Sequence, residues 1–265
     1  MNYKLLLFDL DGTLLRSDKT ISTYTLQTLQ KCREKGLLIG ISTSRAEQNS
    51  LTFIDTLDPD VLITSGGALV KYCGAYVFTA EFTAEETCSF IRAARDLCGD
   101  DCEITVDTIN AHYWNYKIDP LSYDPTWGDA IYPDYDHFTE KALKICVQTT
   151  DPQIAKTLVQ KFPSCDCIKF ADIDWYKFTK KDATKENAIL KLCEACHLSP
   201  DEIIAFGDDL PDVGMLKMCG LGIAMGNALD EVKDAADLTI KSNDEDGIAK
   251  FLTEYLLQKT LSILP

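Results

Sequence analysis

The sequence predicts an α/β fold: a doubly wound, mostly parallel, Rossmann-like sheet interrupted by an inserted α+β domain. Strand-length apolar runs alternate with helical patterns over residues 1–82, and the same alternation returns over 182–265. Alternating strands and helices are typical of a parallel sheet with helices on both faces. Residues 83–181 differ, with short aromatic-rich strands and several prolines. We therefore expect a core domain, 1–82 and 182–265, interrupted by a domain of residues 83–181.

The first strand is predicted from the apolar run at 5–8, which ends in Asp9-Leu10-Asp11-Gly12-Thr13. A run that is apolar on both faces is typical of a buried parallel strand. Side chains alternate along a strand, so Asp9 and Asp11 lie on the same side. Two carboxylates at a buried strand end repel each other and lose hydration, which a cation such as Mg²⁺ relieves. A solvated acidic turn is the alternative for so short a motif.

Two further strand and helix pairs complete the first part of the core. Ser22 is placed to cap a helix that extends to about residue 35, and Gly36 follows it. A second buried strand at 37–42 ends in Thr43-Ser44-Arg45, and a helix extends from there to about residue 57. A third strand at 61–64 ends in Ser65-Gly66-Gly67.

The inserted domain is predicted as α+β. A helix is expected over 84–98, a strand over 143–149, a second helix over 152–162, and a strand or hairpin over 167–179. The stretch 119–137 contains three prolines and a glycine, so we expect a loop there.

The core pattern resumes with Thr184, which is placed to cap a helix. The next strand ends in Gly207-Asp208-Asp209. The elements expected after Thr184 are a helix to about 196, a strand at 203–206, a helix at 212–219, strands at 221–225 and 238–240, and a final helix at 244–257.

Composition excludes several classes of function. The net charge of −16 argues against nucleic acid and anionic membranes as partners, since both attract basic surfaces. The sequence contains no run of 18 apolar residues, so no membrane span is predicted. The N-terminus lacks a signal-peptide cleavage pattern, and we therefore expect a cytoplasmic protein. The 11 cysteines are scattered and odd in number, which favours reduced thiols over a disulfide framework or a metal site.

Polar groups follow the predicted strands or begin the predicted helices of the core at four places. They are Asp9 with Asp11, Thr43, Lys185, and Asp208 with Asp212. Strand ends at one edge of a parallel sheet converge, so we expect these groups to meet. Carboxylates around a cation, with one hydroxyl and one ammonium, are the components of a phosphoryl-transfer site. Taken singly, Lys185 is also compatible with an exposed helix lysine and Thr43 with a helix cap.

The same residues, in this order, resemble the four motifs of the haloacid dehalogenase superfamily. The motifs read Asp9-Leu10-Asp11-Gly12-Thr13, then Thr43, Lys185, and Gly207-Asp208-Asp209-Leu210-Pro211-Asp212. The inserted domain between the second and third motifs resembles the C2B cap of the Cof-type branch, subfamily IIB. The resemblance covers nearly all of the core, whereas the cap matches mainly in position and size.

The resemblance implies a role for each matching residue. Asp9 would be the nucleophile that forms an aspartyl-phosphate, and Asp11 the general acid and then the general base. Thr43 would hydrogen-bond the phosphoryl group, and Lys185 would balance its charge and that of Asp9.

The resemblance also implies a Mg²⁺ site and a phosphate site. The metal residues would be Asp9, Asp11 through its main-chain carbonyl, and Asp208, with Asp212 supporting the metal or Lys185. Phosphate or substrate contacts would come from Gly12, Thr43, Ser44, Arg45 and Lys185. For Arg45, pairing with a surface acid is an equal alternative.

Two positions depart from the family pattern. Relatives usually have Asn where this chain has Pro211, and Asn-Gly-Ala where it has Gly66-Gly67-Ala68. Each change removes a polar group from the expected site. Proline is also favoured in the first turn of a helix, which is a structural account of Pro211.

The implied function is a Mg²⁺-dependent phosphatase of small phosphorylated metabolites, such as sugar phosphates or phosphorylated cofactors, acting as a monomer or weak homo-oligomer. Two alternatives stay open. One is a phosphomutase or phosphotransferase that uses the same aspartyl-phosphate. The other is a phospho-acceptor signalling domain, against which the inserted cap argues.

Overall fold

The computed structural model of the protein describes residues 3–122, 124–170 and 173–257. Its strands, in chain order, are β1 (Leu5–Phe8), β2 (Leu38–Ser42), β3 (Val61–Thr64), β4 (Leu69–Tyr72), β5 (Ala75–Thr79), β6 (Ile104–Asp107), β7 (His112–Trp114), β8 (Lys144–Gln148), β9 (Cys165–Lys169), β10 (Trp175–Lys180), β11 (Ile203–Gly207), β12 (Leu221–Ala224) and β13 (Leu238–Thr239). Its α-helices are α1 (Thr23–Glu34), α2 (Leu51–Leu57), α3 (Ala84–Cys98), α4 (Pro152–Lys161), α5 (Lys185–Cys196), α6 (Val213–Met218), α7 (Asp230–Ala235) and α8 (Gly247–Leu252).

The larger sheet has eight strands in the order β13-β12-β11-β1-β2-β3-β4-β5. The first six in that order are parallel neighbours, and the β4–β5 hairpin adds an antiparallel edge. Leu5, Leu6 and Leu7 on the central strand are fully buried, as expected for a strand covered on both faces. The predicted α/β class with a mostly parallel sheet is confirmed.

Two predicted helix caps are present at the start of core helices. The Ser22 hydroxyl accepts a hydrogen bond from the Thr25 amide at 3.0 Å, and the Thr184 hydroxyl accepts one from the Asn187 amide at 3.1 Å. Each cap pairs an amide that the first helical turn leaves unsatisfied. The second cap holds the start of α5 and therefore the position of Lys185.

The smaller sheet has five antiparallel strands in the order β7-β6-β8-β10-β9. One face packs against α3 and α4 in a hydrophobic core of its own, which includes Phe90, Leu158 and Phe178. The chain passes between the two sheets at 80–83 and again at 181–184. These crossings support the proposed cap of residues 83–181.

Some elements differ from the sequence prediction. The final helix is broken at Asp246, whose φ of 57° is a left-handed conformation that a right-handed helix cannot continue through. The next residue is Gly247, where a side chain would lie 2.0 Å from the Lys241 carbonyl oxygen. The helix predicted to end at Leu57 is split into a 3₁₀ turn, Gln48–Ser50, and α2. The sequence did not predict the β4–β5 hairpin or α7.

Across the described residues, no helix has both the length and the hydropathy needed to span a membrane. All 11 cysteines lie within the described ranges and carry free thiols.

Candidate active site

Three neighbouring strands of the larger sheet end at the site. The strands β11, β1 and β2 are adjacent, and they are followed by Asp208, Asp9 and Thr43. Because they are parallel, their carboxyl ends lie at the same edge of the sheet, where α/β proteins bind ligands. The convergence expected from the sequence is therefore present.

Lys185, at the start of α5, joins two of the predicted acids. Its buried ammonium donates to Asp9 Oδ1 at 2.7 Å, Asp212 Oδ1 at 2.6 Å and the Ser42 carbonyl oxygen at 2.6 Å. Burial lowers the pKa of Lys185, but the carboxylates of Asp212 and Asp9 outweigh burial, so the pKa is raised above its ordinary value. Lys185 is therefore a permanent cation beside the proposed nucleophile, not an exposed helix lysine.

Asp9, Asp208 and Asp212 form a group that fits a metal ion. Each offers a carboxylate oxygen, and these oxygens lie within 4.8 Å of one another. Carboxylate oxygens are the ligands that Mg²⁺ prefers. Both oxygens of Asp212 already accept hydrogen bonds, Oδ1 from Lys185 and Oδ2 from the amides of Asp208 and Asp209. The more available oxygens therefore belong to Asp9 and Asp208, and Asp212 acts mainly to position Lys185 and the 208–209 backbone.

The electrostatics of Asp208 also favour a cation. Burial, followed by the Asp212 and Asp209 carboxylates, raises its pKa to about 7 despite a hydrogen bond from the Thr13 hydroxyl. That bond runs from Thr13 Oγ1 to Asp208 Oδ1 at 2.5 Å. A divalent ion would favour the charged carboxylate and remove this penalty.

Gly12 provides the space for Asp208. Its φ is +79°, and a Cβ there would lie 2.2 Å from Asp208 Oδ2. Any side chain would therefore displace a proposed metal ligand, as well as strain the backbone. This explains the glycine between Asp11 and Thr13 in physical terms.

The carboxylate of Asp11 lies outside the three-acid group. It pairs with Arg45, with Nε 2.6 Å from Oδ2 and Nη2 2.8 Å from Oδ1, and with Lys19 Nζ at 2.7 Å. Burial would raise the pKa of Asp11, but the hydrogen bonds and charges of Arg45 and Lys19 place it below its usual value. In this arrangement Asp11 is an ionised base, and acting as an acid requires at least one of these cations to withdraw.

The acid that Arg45 pairs with is Asp11 inside the site, and not an acid elsewhere on the surface. Arg45 is 3% exposed, and its Nη1 donates to the carbonyl oxygens of Asn49 and Thr126. Its guanidinium also lies 4.4 Å from the Trp127 ring centroid. Since Thr126 and Trp127 belong to the cap, Arg45 connects the cap to Asp11.

Thr43 and Ser44 lie directly after β2. Thr43 is 1% exposed, and its hydroxyl oxygen accepts from the Arg45 amide at 3.1 Å, so its proton is available to a phosphoryl oxygen. The Ser44 carbonyl oxygen accepts from Lys144 Nζ of the cap at 2.8 Å.

Pro211 lies within a 3₁₀ turn, Leu210–Asp212, that Asp209 caps through the Leu210 amide. The missing proline N–H is therefore not required by the turn, which supports the structural account of this departure. Asp209 is exposed and acts as a capping residue, as expected.

Sequence reasoning missed several contacts of the site. No sequence motif identifies the hydrogen bond of Thr13, the ion pair of Lys19 or a buried cluster in the cap. The cluster comprises Asp107, His112, Lys144 and Lys177. An available signal was the alternation in β8 and β10, where lysines occupy the polar positions of otherwise apolar strands.

Comparison with known proteins identifies the family. The sequence profile of haloacid dehalogenase-like hydrolases matches residues 6–252. The chain belongs to the haloacid dehalogenase-like hydrolase family. This agrees with the resemblance carried by the four motifs.

Several curated relatives of this hydrolase are named phosphatases. The chain is 28% identical over 263 residues to the 5-amino-6-(5-phospho-D-ribitylamino)uracil phosphatase YitU of Bacillus subtilis, covering 95% of this chain and 97% of the relative. It is 26% identical over 287 residues to the pyridoxal phosphate phosphatase YbhA of Escherichia coli, covering 97% and 100%. Both matches extend over the core and the cap.

Solved structures share the fold. A haloacid dehalogenase-like hydrolase from Bacteroides thetaiotaomicron has a TM-score of 0.82 at 22% identity, covering 96% of this chain and 99% of that one. A subclass IIB sugar phosphatase of the same superfamily has a TM-score of 0.80 at 24% identity, covering 98% and 100%. The protein is thus a haloacid dehalogenase-like hydrolase by its family match, and these solved structures share its fold.

Proposed function

We propose that this hydrolase is a Mg²⁺-dependent phosphatase that acts on small phosphorylated metabolites, either sugar phosphates or phosphorylated cofactors, through an aspartyl-phosphate on Asp9. The observation that carries the proposal is the position of Asp9. One of its oxygens is held by the Lys185 ammonium, and the carboxylate lies within metal-sharing distance of Asp208. Relatives named for a ribityl-linked phosphate and for pyridoxal phosphate support the substrate class.

Asp9 and Asp208 would hold the metal, with Asp212 beside them. When bound, Mg²⁺ would supply positive charge to the phosphoryl oxygens and orient them. The fit rests on three carboxylates whose oxygens lie within 4.8 Å of one another, and on the raised pKa of Asp208.

In the first step an Asp9 oxygen attacks phosphorus, and the bond from phosphorus to the ester oxygen breaks as the new bond forms. The Thr43 hydroxyl donates to a phosphoryl oxygen, and Lys185 offsets the negative charge gathered around Asp9. The leaving alkoxide takes a proton from Asp11. For Asp11 to carry that proton, Arg45 or Lys19 must loosen its hold when substrate binds.

In the second step a water molecule loses a proton to Asp11 and attacks phosphorus, which releases inorganic phosphate and restores Asp9. The ionised Asp11 seen here, paired with Arg45 and Lys19, suits this base role. The two steps together leave Asp11 protonated for the next turnover.

The cap is proposed to close over a small substrate. Arg45 and Lys144 connect cap and core by direct hydrogen bonds to Thr126 and Ser44. A covered site excludes bulk water and macromolecular substrates. We also propose that the protein is cytoplasmic, which its composition favours, and that it acts as a monomer or weak homo-oligomer.

The test is phosphate release from a panel of phosphorylated sugars and cofactors, with and without Mg²⁺. We expect Asp9→Asn to abolish turnover, because an amide of nearly the same shape is a poor nucleophile. Asp55→Asn, which removes an exposed acid from α2, is the matched control. Retained turnover in Asp9→Asn with an unchanged circular dichroism spectrum would place the nucleophile elsewhere.

The same assay separates the alternatives. A phosphomutase would convert a sugar phosphate to its isomer with little phosphate release. A signalling domain would hold its phosphoryl group long after the donor is removed, whereas an enzyme intermediate turns over.

A further inference from the structure

The face of the cap sheet that meets the core is polar and yet buried. Apolar side chains of β8 and β10, such as Ile145, Val147 and Phe178, point into the cap's own core. The alternate positions of β6, β8 and β10 carry buried polar or charged side chains. They are Thr105, Asp107, Lys144, Lys177 and Thr179. Buried charged side chains are rare unless they are paired, so each of these requires a partner.

Lys144 has its partners. Its ammonium lies 2.6 Å from Asp107 Oδ2 and donates to the Ser44 carbonyl oxygen. The other oxygen of Asp107 is 2.7 Å from His112 Nδ1, and the Ser65 hydroxyl also reaches Asp107. This part of the cap face is balanced in charge, and it contacts the ends of β2 and β3 in the core.

Lys177 has no such partner. It is 5% exposed, and no described residue forms an ion pair or a hydrogen bond with its ammonium. In the sheet it lies opposite Cys146, which offers no carboxylate. Burial, followed by the nearby charges of Lys144 and Lys185, lowers the pKa of Lys177 to about 8. Asp209 is a nearby carboxylate, but its attraction is smaller than these effects and it forms no ion pair with Lys177. The cap therefore holds an unpaired cation near Lys185.

The ammonium of Lys177 lies over the loop that follows β3. A Cβ built on Gly66 would be 3.0 Å from Lys177 Nζ. Gly66 is the position at which this chain departs from the family pattern of Asn-Gly-Ala. The absence of a side chain at Gly66 leaves room for Lys177. The ammonium of Lys177 therefore lies where relatives usually have the polar side chain of Asn.

We propose that Lys177 forms a second anion subsite, so that preferred substrates carry an anionic group, a carboxylate or a second phosphate, besides the phosphoryl group that is removed. This inference rests on the proposed phosphatase function. Lys185 serves the transferred group at Asp9, whereas Lys177 belongs to the cap and faces the remainder of the substrate. A substrate anion would supply the counter-charge that the protein omits.

The test compares substrates in matched pairs. Phosphogluconate and glucitol phosphate differ by a carboxylate, and fructose bisphosphate and fructose monophosphate differ by a second phosphate. We expect kcat/KM to favour the more anionic member of at least one pair by about tenfold or more in the wild-type enzyme. Lys177→Met should reduce that ratio by about tenfold to a hundredfold, the usual effect of one charge-assisted hydrogen bond.

Three controls accompany the variant. Lys156→Met removes the same charge from an exposed position on α4 and should leave the ratio unchanged. Lys177→Arg keeps the charge and should retain the preference. Lys177→Met should not melt below the wild type, because it removes an unpaired buried charge rather than a stabilising pair.

Binding to the Asp9→Asn enzyme, measured by calorimetry, provides a readout that needs no turnover. We expect the anionic member of a pair to bind more tightly than its partner, and this difference to be lost when Lys177→Met is added. That result supports the subsite even if no substrate releases phosphate. In that case only the phosphatase proposal fails. Equal kcat/KM within both pairs overturns the subsite and leaves the phosphatase intact. An equal loss on both members in Lys177→Met also overturns it, because Lys177 would then serve the transferred phosphoryl group.

Discussion

Removing the metal should make the stability of the protein depend strongly on pH through Asp208. In the metal-free protein the pKa of Asp208 is about 7, against an ordinary value of 3.8. A raised pKa means that the folded state binds the proton more tightly than the unfolded state. The contribution to stability is therefore complete below about 3.8 and is lost as the pH rises through about 7.

The magnitude follows from the difference between those two values. Each pKa unit corresponds to about 1.4 kcal/mol, so the upper limit is about 4 kcal/mol. Because Asp208 is partly exposed, solvent screening reduces this, and we expect about 2 kcal/mol. For a chain of this size, that corresponds to about 5 °C in Tm.

The measurement is thermal unfolding between about pH 5 and about pH 8.5, in chelator and in excess Mg²⁺. We expect Tm of the wild type in chelator to fall with rising pH more steeply than that of Asp208→Asn. Mg²⁺ should restore stability mainly above neutral pH, since it binds the ionised carboxylates. Asp55→Asn serves as the control for loss of one exposed acid.

Two outcomes would refute the reasoning. If the wild type and Asp208→Asn have parallel pH profiles in chelator, Asp208 is not the group responsible. If Mg²⁺ stabilises the protein equally at acidic and alkaline pH, the three acids do not form the metal site.

Three further predictions concern single residues of the site. Gly12→Ala should raise the Mg²⁺ concentration needed for half-maximal activity, because its Cβ would lie 2.2 Å from Asp208 Oδ2; an unchanged Mg²⁺ requirement would contradict this. Lys185→Met should lower the unfolding free energy in urea by about 3–5 kcal/mol, since it leaves buried carboxylates unpaired; a loss below about 1 kcal/mol would contradict the network. Asp11→Asn should slow phosphoenzyme formation from sugar phosphates by about 10²–10⁴-fold and much less from p-nitrophenyl phosphate, whose leaving group needs no proton; equal slowing in single-turnover kinetics would leave Asp11 without an acid role.

The sequence was sufficient to predict those parts of the structure that depend on a local pattern of residues. The apolar runs before Asp9 and Asp208 predicted buried strands of one parallel sheet, and the caps Ser22 and Thr184 predicted where two helices begin. Parallel strand ends meet at one edge of a sheet whatever the cap does. The grouping of Asp9, Asp208 and Lys185 therefore followed from spacing and from the rules of parallel sheets.

The partners of Asp11, Arg45 and Lys177 could be decided only by the tertiary structure. Nothing local pairs Arg45 with Asp11, which lies 34 residues away, or places Thr126 of the cap on the same guanidinium. Likewise, Gly66 in the sequence indicates only a lost polar group, whereas the fold shows Lys177 of the cap in the space above it. These contacts arise where two separately packed sheets meet. Whether a charge there finds a partner depends on how the two sheets are positioned. The periodicity of the sequence carries no information about that position.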